Sequence, residues 1–174
     1  MGSETTFHRY RALPRKNAKK SALTTRTPLS LSFDVHFETG AAGLPRRPTL
    51  RRWVQIAQER DLTATLRFVG QREGRRLNAR FRGREYATNV LTFVYDDVDP
   101  LAGDIVLCVP VLAREAGSQG KTLRAHCAHL VIHGMLHLQG YDHQRRADAA
   151  RMEARETALL RALRYPDPYG GPAK

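Results

Sequence analysis

The sequence contains little cysteine, no long apolar run and no apolar leader. Its two cysteines, Cys108 and Cys127, cannot build a disulfide framework, and their apolar neighbours predict buried, reduced thiols. No apolar run reaches the roughly 18 residues that a membrane-spanning helix needs. No basic stretch leads into an apolar core with a cleavage site, so we expect no secretory signal peptide. The 174 residues suit one soluble cytoplasmic domain with a single core and no membrane partner.

Acidic residues are scarce in the first half of the chain, and this shortage creates most of the net charge of +12. Residues 1–30 carry +6, residues 31–95 carry another +6, and residues 96–174 are neutral. An excess of this size indicates a polyanionic partner or a merely solvated basic surface. Nucleic acid is the commonest such partner, but the charge alone leaves both interpretations open.

The hydrophobic pattern divides the chain into a tail and one domain. Residues 1–29 are rich in Ser, Thr, Lys and Arg without sustained periodicity, which predicts a basic, disordered tail. Residues 30–170 should form the domain. Alternation predicts strands over 31–37, 62–68, 90–95 and 105–109. Helical spacing predicts one helix capped by Thr49, a short one that begins at Pro110, and two longer ones over 121–139 and 145–163. The basic residues 75–83 favour neither type. We expect an α+β fold, a small mixed sheet of about four strands packed with helices.

A group of histidines lies in the C-terminal half. His133 and His137 are four residues apart on a predicted helix, so their side chains project from the same face. Gly140 can take the left-handed conformation that ends a helix, and the following turn can bring His143 to the pair. Three imidazoles and an open position are typical of a catalytic zinc site. The spacing H-x3-H-x5-H rarely arises by chance in a chain with seven histidines.

Three further polar residues flank this predicted site. His126 and His129 lie on nearly the same helical stripe, but His129 and His137 are roughly 12 Å apart along the axis, so both cannot bind one ion. We interpret His126 and His129 as groups that support the ligands or line the site. Asp142 could orient an imidazole or handle a proton, or it could be a turn aspartate that bonds the backbone.

The glutamate that serves as general base in H-E-x-x-H metallopeptidases is missing, because Gly134 follows the first histidine. This absence argues against proteolysis. It leaves a metal ion that acidifies a bound water or polarises an oxygen.

Residues 133–143 read H-G-M-L-H-L-Q-G-Y-D-H, which resembles the H-G-x-L-H-L-x-G-Y-D-H signature of the YbeY family of bacterial rRNA-maturation endoribonucleases. The likeness spans roughly residues 31–169 and includes Leu77-Asn78, Phe81-Arg82-Gly83, Thr88-Asn89-Val90-Leu91, Gly103-Asp104-Ile105 and Asp167-Pro168-Tyr169. Two features depart from the family pattern. Residues 1–29 have no counterpart, and Val94 stands where the family usually has proline.

The resemblance implies one zinc ion held by His133, His137 and His143. It implies cleavage of single-stranded RNA, with roles in small-subunit rRNA 3′-end maturation and ribosome quality control. The small ribosomal subunit and its assembly factors would then be partners. It also implies that Arg82 is the family's functional arginine in the cleft, where a guanidinium can bridge two phosphate oxygens.

We therefore expect a zinc-dependent, single-strand-specific endoribonuclease. Its neutral C-terminal half would carry the metal, and its arginine-rich first half would hold the RNA backbone. Two alternatives stay open at this point. The first is a non-catalytic rRNA-binding assembly factor with a structural zinc, and the second is another metal-dependent hydrolase. The sequence is equally compatible with water or the RNA 2′-hydroxyl as the nucleophile.

Overall fold

The computed structural model describes residues 8–10, 28–40, 42–95 and 98–170. No helix within these residues is both long and apolar enough to cross a membrane. The described elements, in chain order, are β1 (His8–Tyr10), β2 (Leu31–Phe37), α1 (Arg47–Ala57), β3 (Leu62–Val69), α2 (Gln71–Arg82), β4 (Val90–Tyr95), β5 (Leu101–Cys108), α3 (Val109–Ser118), α4 (Leu123–Leu138) and α5 (Arg146–Ala162).

The strands form one mixed sheet in the order β1-β4-β5-β3-β2. Strand β4 runs antiparallel to β5, and the other neighbouring pairs are parallel. The expected α+β class is confirmed, and the four expected strands are present. The additional strand is β1, which comes from the segment expected to be a disordered tail and pairs with β4. Residues 1–7 and 11–27 of that segment lie outside the described residues.

Two local expectations differ from the structure. Helix α1 begins at Arg47 and not after a Thr49 cap, because Pro48 fits the first turn, where backbone N–H groups need no intrahelical partner. The ambiguous basic stretch belongs to helix α2. This helix buries little beyond Gly74, Leu77 and Asn78, so its apolar stripe is too narrow to give a clear period.

Apolar side chains pack on both faces of the sheet, because the strands alternate with period two. On one face, residues such as Phe68 and Ile105 pack with helices α1, α4 and α5 in the larger core. On the other face, Val69 and Val106 pack with Leu77 of helix α2 in a smaller core. Helix α4 is buried on almost every side, so it can hold its polar side chains rigidly. Both cysteines are buried and free, as expected.

Gly134 lets helix α4 lie close to strand β5. A Cβ atom at this position would lie 2.8 Å from Cγ2 of Ile105 and 3.0 Å from its Cδ1. Any larger side chain would therefore have to displace the buried side chain of Ile105. Position 134 faces the sheet, so a glutamate here would not reach the histidines. Close packing against Ile105 thus explains why glycine, and not the glutamate of the peptidases, occupies position 134.

Candidate metal centre

The end of helix α4 turns the chain back, as its glycine predicts. Gly140 has φ 93°, and its N–H donates to the carbonyl of His137 at 3.0 Å. The N–H of Tyr141 donates to the carbonyl of Leu136 at 3.1 Å. These two bonds form a Schellman motif, which satisfies carbonyls that the last helical turn leaves without partners. The next residues can therefore approach the helix face that carries the histidines.

Two side chains hold this turn in place. The Asp142 carboxylate accepts the backbone N–H groups of His143 at 2.7 Å and Gln144 at 3.2 Å. These are the contacts of a turn aspartate, which is one of the two interpretations that the sequence left open. Gln139, which sequence reasoning missed, donates to the carbonyl of Ala57 at 2.8 Å and accepts the N–H of Glu59 at 2.6 Å. It ties the end of helix α4 to the end of helix α1.

The structure brings the three predicted histidines together. One ligand atom from each of His133, His137 and His143 lies within 4.8 Å of the others. The ring centroids of His133 and His137 are 4.3 Å apart, and the His143 ring is 4.9 Å from His137. Helical spacing supplies the first two side chains, and the turn after Gly140 supplies the third. Such a group can hold one metal ion.

Hydrogen bonds fix which nitrogen of each helical histidine faces inward. Nδ1 of His133 lies 2.6 Å from Oε1 of Glu156, and Nδ1 of His137 lies 2.8 Å from the carbonyl oxygen of Tyr141. Carboxylate and carbonyl oxygens accept, so each Nδ1 carries the proton and each Nε2 presents a lone pair. The two Nε2 atoms face each other at 2.9 Å. At this distance either a proton on one of the two rings or a metal ion must lie between the nitrogens, because two opposed lone pairs repel.

The third histidine points to the same conclusion. Nε2 of His143 is buried and has no hydrogen-bond partner among the described residues. A buried polar atom without a partner is costly, and a metal ion would satisfy it. The donor set of three imidazoles suits zinc. The residues present therefore fit the metal that the histidine spacing predicts.

Burial favours the neutral form of the central ligand. It lowers the pKa of His137 to about 2, and the neighbouring His133 acts in the same direction. A neutral imidazole is the form that binds metal. For Glu156, burial alone would raise the pKa, but hydrogen bonds from His129 and His133 outweigh it and hold the pKa well below its usual range. This carboxylate is therefore ionised and can only accept hydrogen bonds.

Glu156 is the main site residue that sequence reasoning missed. It lies on helix α5, is fully buried, and contacts His129 as well as His133. A signal for it exists in the sequence. It falls between Met152 and Leu159, at spacings of four and three residues, on the apolar face of helix α5. A carboxylate on a buried face needs partners, and the histidines of helix α4 provide them.

A cavity of about 400 Å³ lies beside the histidines. Its wall includes His133, His143, His126, His129, Asn89, Lys121, Glu153, Glu156 and Tyr169. Nε2 of His126 lies 2.9 Å from Oε2 of Glu115, and Nε2 of His129 lies 3.3 Å from Oε2 of Glu156. Each of these two histidines is thus paired with a carboxylate, and of the two carboxylates Glu156 lines the cavity. The interpretation as supporting or lining groups describes this placement.

Arg82 lies elsewhere. It is the last residue of helix α2, which packs on the opposite face of the sheet from helix α4. Burial and the neighbouring Arg84 lower its pKa. The loop 83–89 leads from Arg82 to Asn89, which lines the cavity. Arg82 itself is absent from the described part of the cavity wall, so its role in the cleft stays a prediction.

Comparisons with known proteins agree with this geometry. A family model described as Endoribonuclease YbeY matches residues 47–164. A protein named Endoribonuclease YbeY from Aromatoleum aromaticum is 54% identical over 152 residues, covering 86% of this chain and 99% of the relative. One of the same name from Nitrosomonas eutropha is 53% identical over 135 residues, covering 78% of this chain and 96% of the relative.

A solution structure of a protein from Thermotoga maritima has a TM-score of 0.51 and covers 83% of this chain and 99% of that one. Its sequence is 24% identical, so it shows a shared fold alone. The family match and the close relatives confirm the resemblance that the histidine motif carries. The chain therefore belongs to the YbeY family, which is described as endoribonuclease YbeY.

Proposed function

We propose that this protein is a zinc-dependent endoribonuclease that cleaves single-stranded RNA. One observation carries the proposal. His133 and His137 direct their Nε2 atoms toward each other, while the buried Nε2 of His143 lacks a hydrogen-bond partner in the part of the chain that the structure describes. When bound there, zinc would supply a polarised phosphoryl oxygen or an acidified water. The name of the family and its relatives supports RNA as the substrate.

The surroundings of the histidines favour a catalytic over a purely structural role. The group has three members among the described residues, whereas a closed structural zinc site uses four protein ligands. His133 and His143 also line the cavity, which gives a substrate room beside the ion. In this proposal the histidines bind the metal, and the cavity admits the RNA segment to be cut.

Charge outside the cavity would hold the RNA. Residues 31–95 carry twelve arginines and a net charge of +6, whereas residues 96–174 are neutral. Exposed arginines neutralise phosphates without reading sequence, which suits a nuclease that recognises single strands. We assign Arg82 to the anionic transition state, because a guanidinium bridges two phosphate oxygens and keeps its charge.

We extend the proposal to small-subunit rRNA 3′-end maturation and ribosome quality control in the cytoplasm. The small ribosomal subunit and its assembly factors would be the partners. In the same scheme, residues 30–170 form the nuclease domain, and the cations among residues 1–29 add contacts to RNA. The family resemblance of the histidine motif supports this extension.

A cleavage assay tests the proposed activity. The full-length protein is incubated with one labelled RNA as a single strand and as a duplex, with and without a chelator. We expect cleavage of the single strand alone, its loss with the chelator, and its return when zinc is restored. His137→Ala should abolish zinc binding and cleavage together. His36→Ala is the matched control, because His36 is exposed on strand β2 and bonds Asp34.

Two outcomes would contradict the proposal. If zinc-loaded wild-type protein binds RNA and leaves it intact, the non-catalytic assembly factor is favoured. If cleavage persists in His137→Ala, the activity belongs to a contaminant. The end groups of the products then identify the nucleophile. A 2′,3′-cyclic phosphate indicates the RNA 2′-hydroxyl, and a linear phosphate without a cyclic precursor indicates water.

A further inference from the structure

We propose that the C-terminal segment 167–170 helps to set the geometry of the metal site through one buried carboxylate. The hydroxyl of Tyr169 donates to Oε2 of Glu156, and Oε1 of Glu156 accepts from Nδ1 of His133. Tyr169 and Glu156 are then positioning residues that act through His133. This inference rests on the proposed function, because His133 must be a metal ligand for its orientation to matter.

The buried carboxylate of Glu156 depends on its hydrogen-bond donors. Its side chain has 0% exposure, so it gains nothing from water. Both of its oxygens are occupied, one by His133 at 2.6 Å and the other by His129 at 3.3 Å and by Tyr169. A buried carboxylate is tolerated only when such donors compensate for the lost hydration. Removing one donor should therefore let the carboxylate move from the position in which it holds the others.

Tyr169 is brought to this position by contacts outside the metal site. Nζ of Lys121 donates to the carbonyl of Pro168 at 3.0 Å. The Asp167 carboxylate accepts the hydroxyl of Thr157 at 3.2 Å and the N–H of Tyr169 at 3.0 Å. The Tyr169 ring is also edge-on to His129, with centroids 5.6 Å apart. The segment thus docks on helix α5 and the start of helix α4 and presents one hydroxyl to Glu156.

The carboxylate controls His133 in two ways. It keeps the ring proton on Nδ1, so Nε2 is left for the metal, and it stops the ring from rotating away from His137. Without the Tyr169 hydroxyl, the second oxygen of Glu156 keeps His129 as its only donor among the contacts described. The carboxylate can then move toward His129 and loosen its hold on His133.

A second metal site is the competing interpretation of the same residues. One ligand atom each from His129, His133 and Glu156 lies within 4.8 Å of the others, which a metal ion could also bring together. However, His133 would then have to bind two ions through both ring nitrogens and give up both ring protons. A single ion with a carboxylate behind one ligand needs only the ordinary neutral imidazole. We therefore assign Glu156 to positioning.

Zinc affinity of the full chain tests this inference, measured by competition with a chromophoric chelator. Glu156→Gln keeps the shape but removes the charge, and we expect zinc binding to weaken by about 10- to 100-fold. Tyr169→Phe should weaken it less, by several-fold. Tyr165→Phe is the matched control, because its hydroxyl accepts from Nε of Arg124 at 3.1 Å, away from the histidines. It should bind zinc like the wild type.

A double variant separates positioning from general destabilisation. If Tyr169 acts through Glu156, adding Tyr169→Phe to Glu156→Gln should weaken zinc binding no further, because the two changes interrupt one chain of contacts. Thermal unfolding of the zinc-free proteins is measured in parallel. An affinity loss that merely follows the loss of stability, or that appears equally in Tyr165→Phe, would overturn the inference.

The remaining outcomes are also decisive. If the wild type binds no zinc, the proposed function fails. If the wild type binds zinc and both Tyr169→Phe and Glu156→Gln match it, this inference alone fails. Two zinc ions per chain, one of them lost in Glu156→Gln, would establish the second metal site instead. Should Glu156→Gln fail to fold, Tyr169→Phe carries the test, because Tyr169 is about half exposed and only a hydroxyl is removed.

Discussion

The two faces of the sheet differ in how they use polar side chains. On the face covered by helix α4, the histidines are largely buried, and those at 126, 129 and 133 pair with carboxylates. On the face covered by helix α2, the helix presents exposed arginines at positions 72, 75, 76 and 80. The first arrangement fixes ring orientation and protonation. The second leaves cations exposed to solvent, where Arg75 pairs with Glu85 and Arg76 with Glu73 at the surface.

This difference has a physical reason. A metal ion needs neutral ligands held at fixed distances, and a close-packed helix such as α4 provides that rigidity. A nucleic-acid backbone needs many weak charge contacts, which exposed guanidinium groups supply without rigid placement. In the proposed enzyme, the face covered by helix α4 would therefore carry the metal chemistry, and the face covered by helix α2 would bind the RNA backbone. Arg82 is the exception that tests this division, because it is expected to take part in the chemistry although it lies on the arginine-rich helix α2.

The largest expected effect comes from Arg82→Ala. If Arg82 stabilises the transition state, cleavage at saturating RNA should fall by about 10²- to 10³-fold, as for one lost electrostatic contact. Zinc content should not change, because helix α2 contributes none of the grouped histidines. Single-turnover cleavage and zinc analysis measure both quantities. The control is Arg72→Ala, an exposed arginine in the first turn of the same helix, which should lower affinity and leave this rate unchanged.

An equal loss of cleavage rate in Arg72→Ala would contradict a special role of Arg82, because any arginine of helix α2 would then support cleavage equally well. Loss of zinc in Arg82→Ala would show that Arg82 supports the fold of the metal site.

A smaller effect is expected from Gly134→Ala, which tests the tight packing on the face covered by helix α4. The new Cβ would lie 2.8 Å from Ile105, so the free energy of unfolding should fall by about 1–3 kcal/mol, although alanine forms helices better than glycine. Gly117→Ala in helix α3 is the control, because no atom of the described residues lies within 4 Å of the position of its Cβ. It should leave stability unchanged or raise it. Chemical denaturation measures both, and equal shifts would contradict the close approach.

The smallest effect is expected on the salt dependence of RNA binding. Changing Arg72 and Arg80 to glutamine should reduce the slope of log affinity against log salt by up to about 1.4, since each contact to single-stranded RNA contributes roughly 0.7. The control changes Arg124 and Arg161, two exposed arginines of helices α4 and α5 in the neutral half. It should alter the slope little. Equal reductions would show that the basic charge acts as a whole and not through one face.

Local elements of the fold could be predicted where burial is one-sided. Apolar and polar residues alternate in strands β2 and β3, because one face of each strand packs into the larger core. Gly140 likewise predicted the end of helix α4. Helix α2 escaped prediction because its buried stripe is narrow. Strand β1 escaped because three residues of an isolated edge strand have no pattern of their own, and their pairing with β4 joins segments more than 80 residues apart in sequence.

The sequence by itself determined the histidine group. Helical spacing, a glycine that can adopt positive φ, and a turn aspartate are local properties, so residues 133–143 contain nearly all the information needed to bring three imidazoles together. The same local reasoning could not find Glu156, Tyr169 or the close contact of Gly134 with Ile105. Each of these depends on which element packs against helix α4, which is a property of the whole chain. The tertiary structure decided how His133 is held, through Glu156 on another helix, whereas the Tyr141 carbonyl that holds His137 is a local contact.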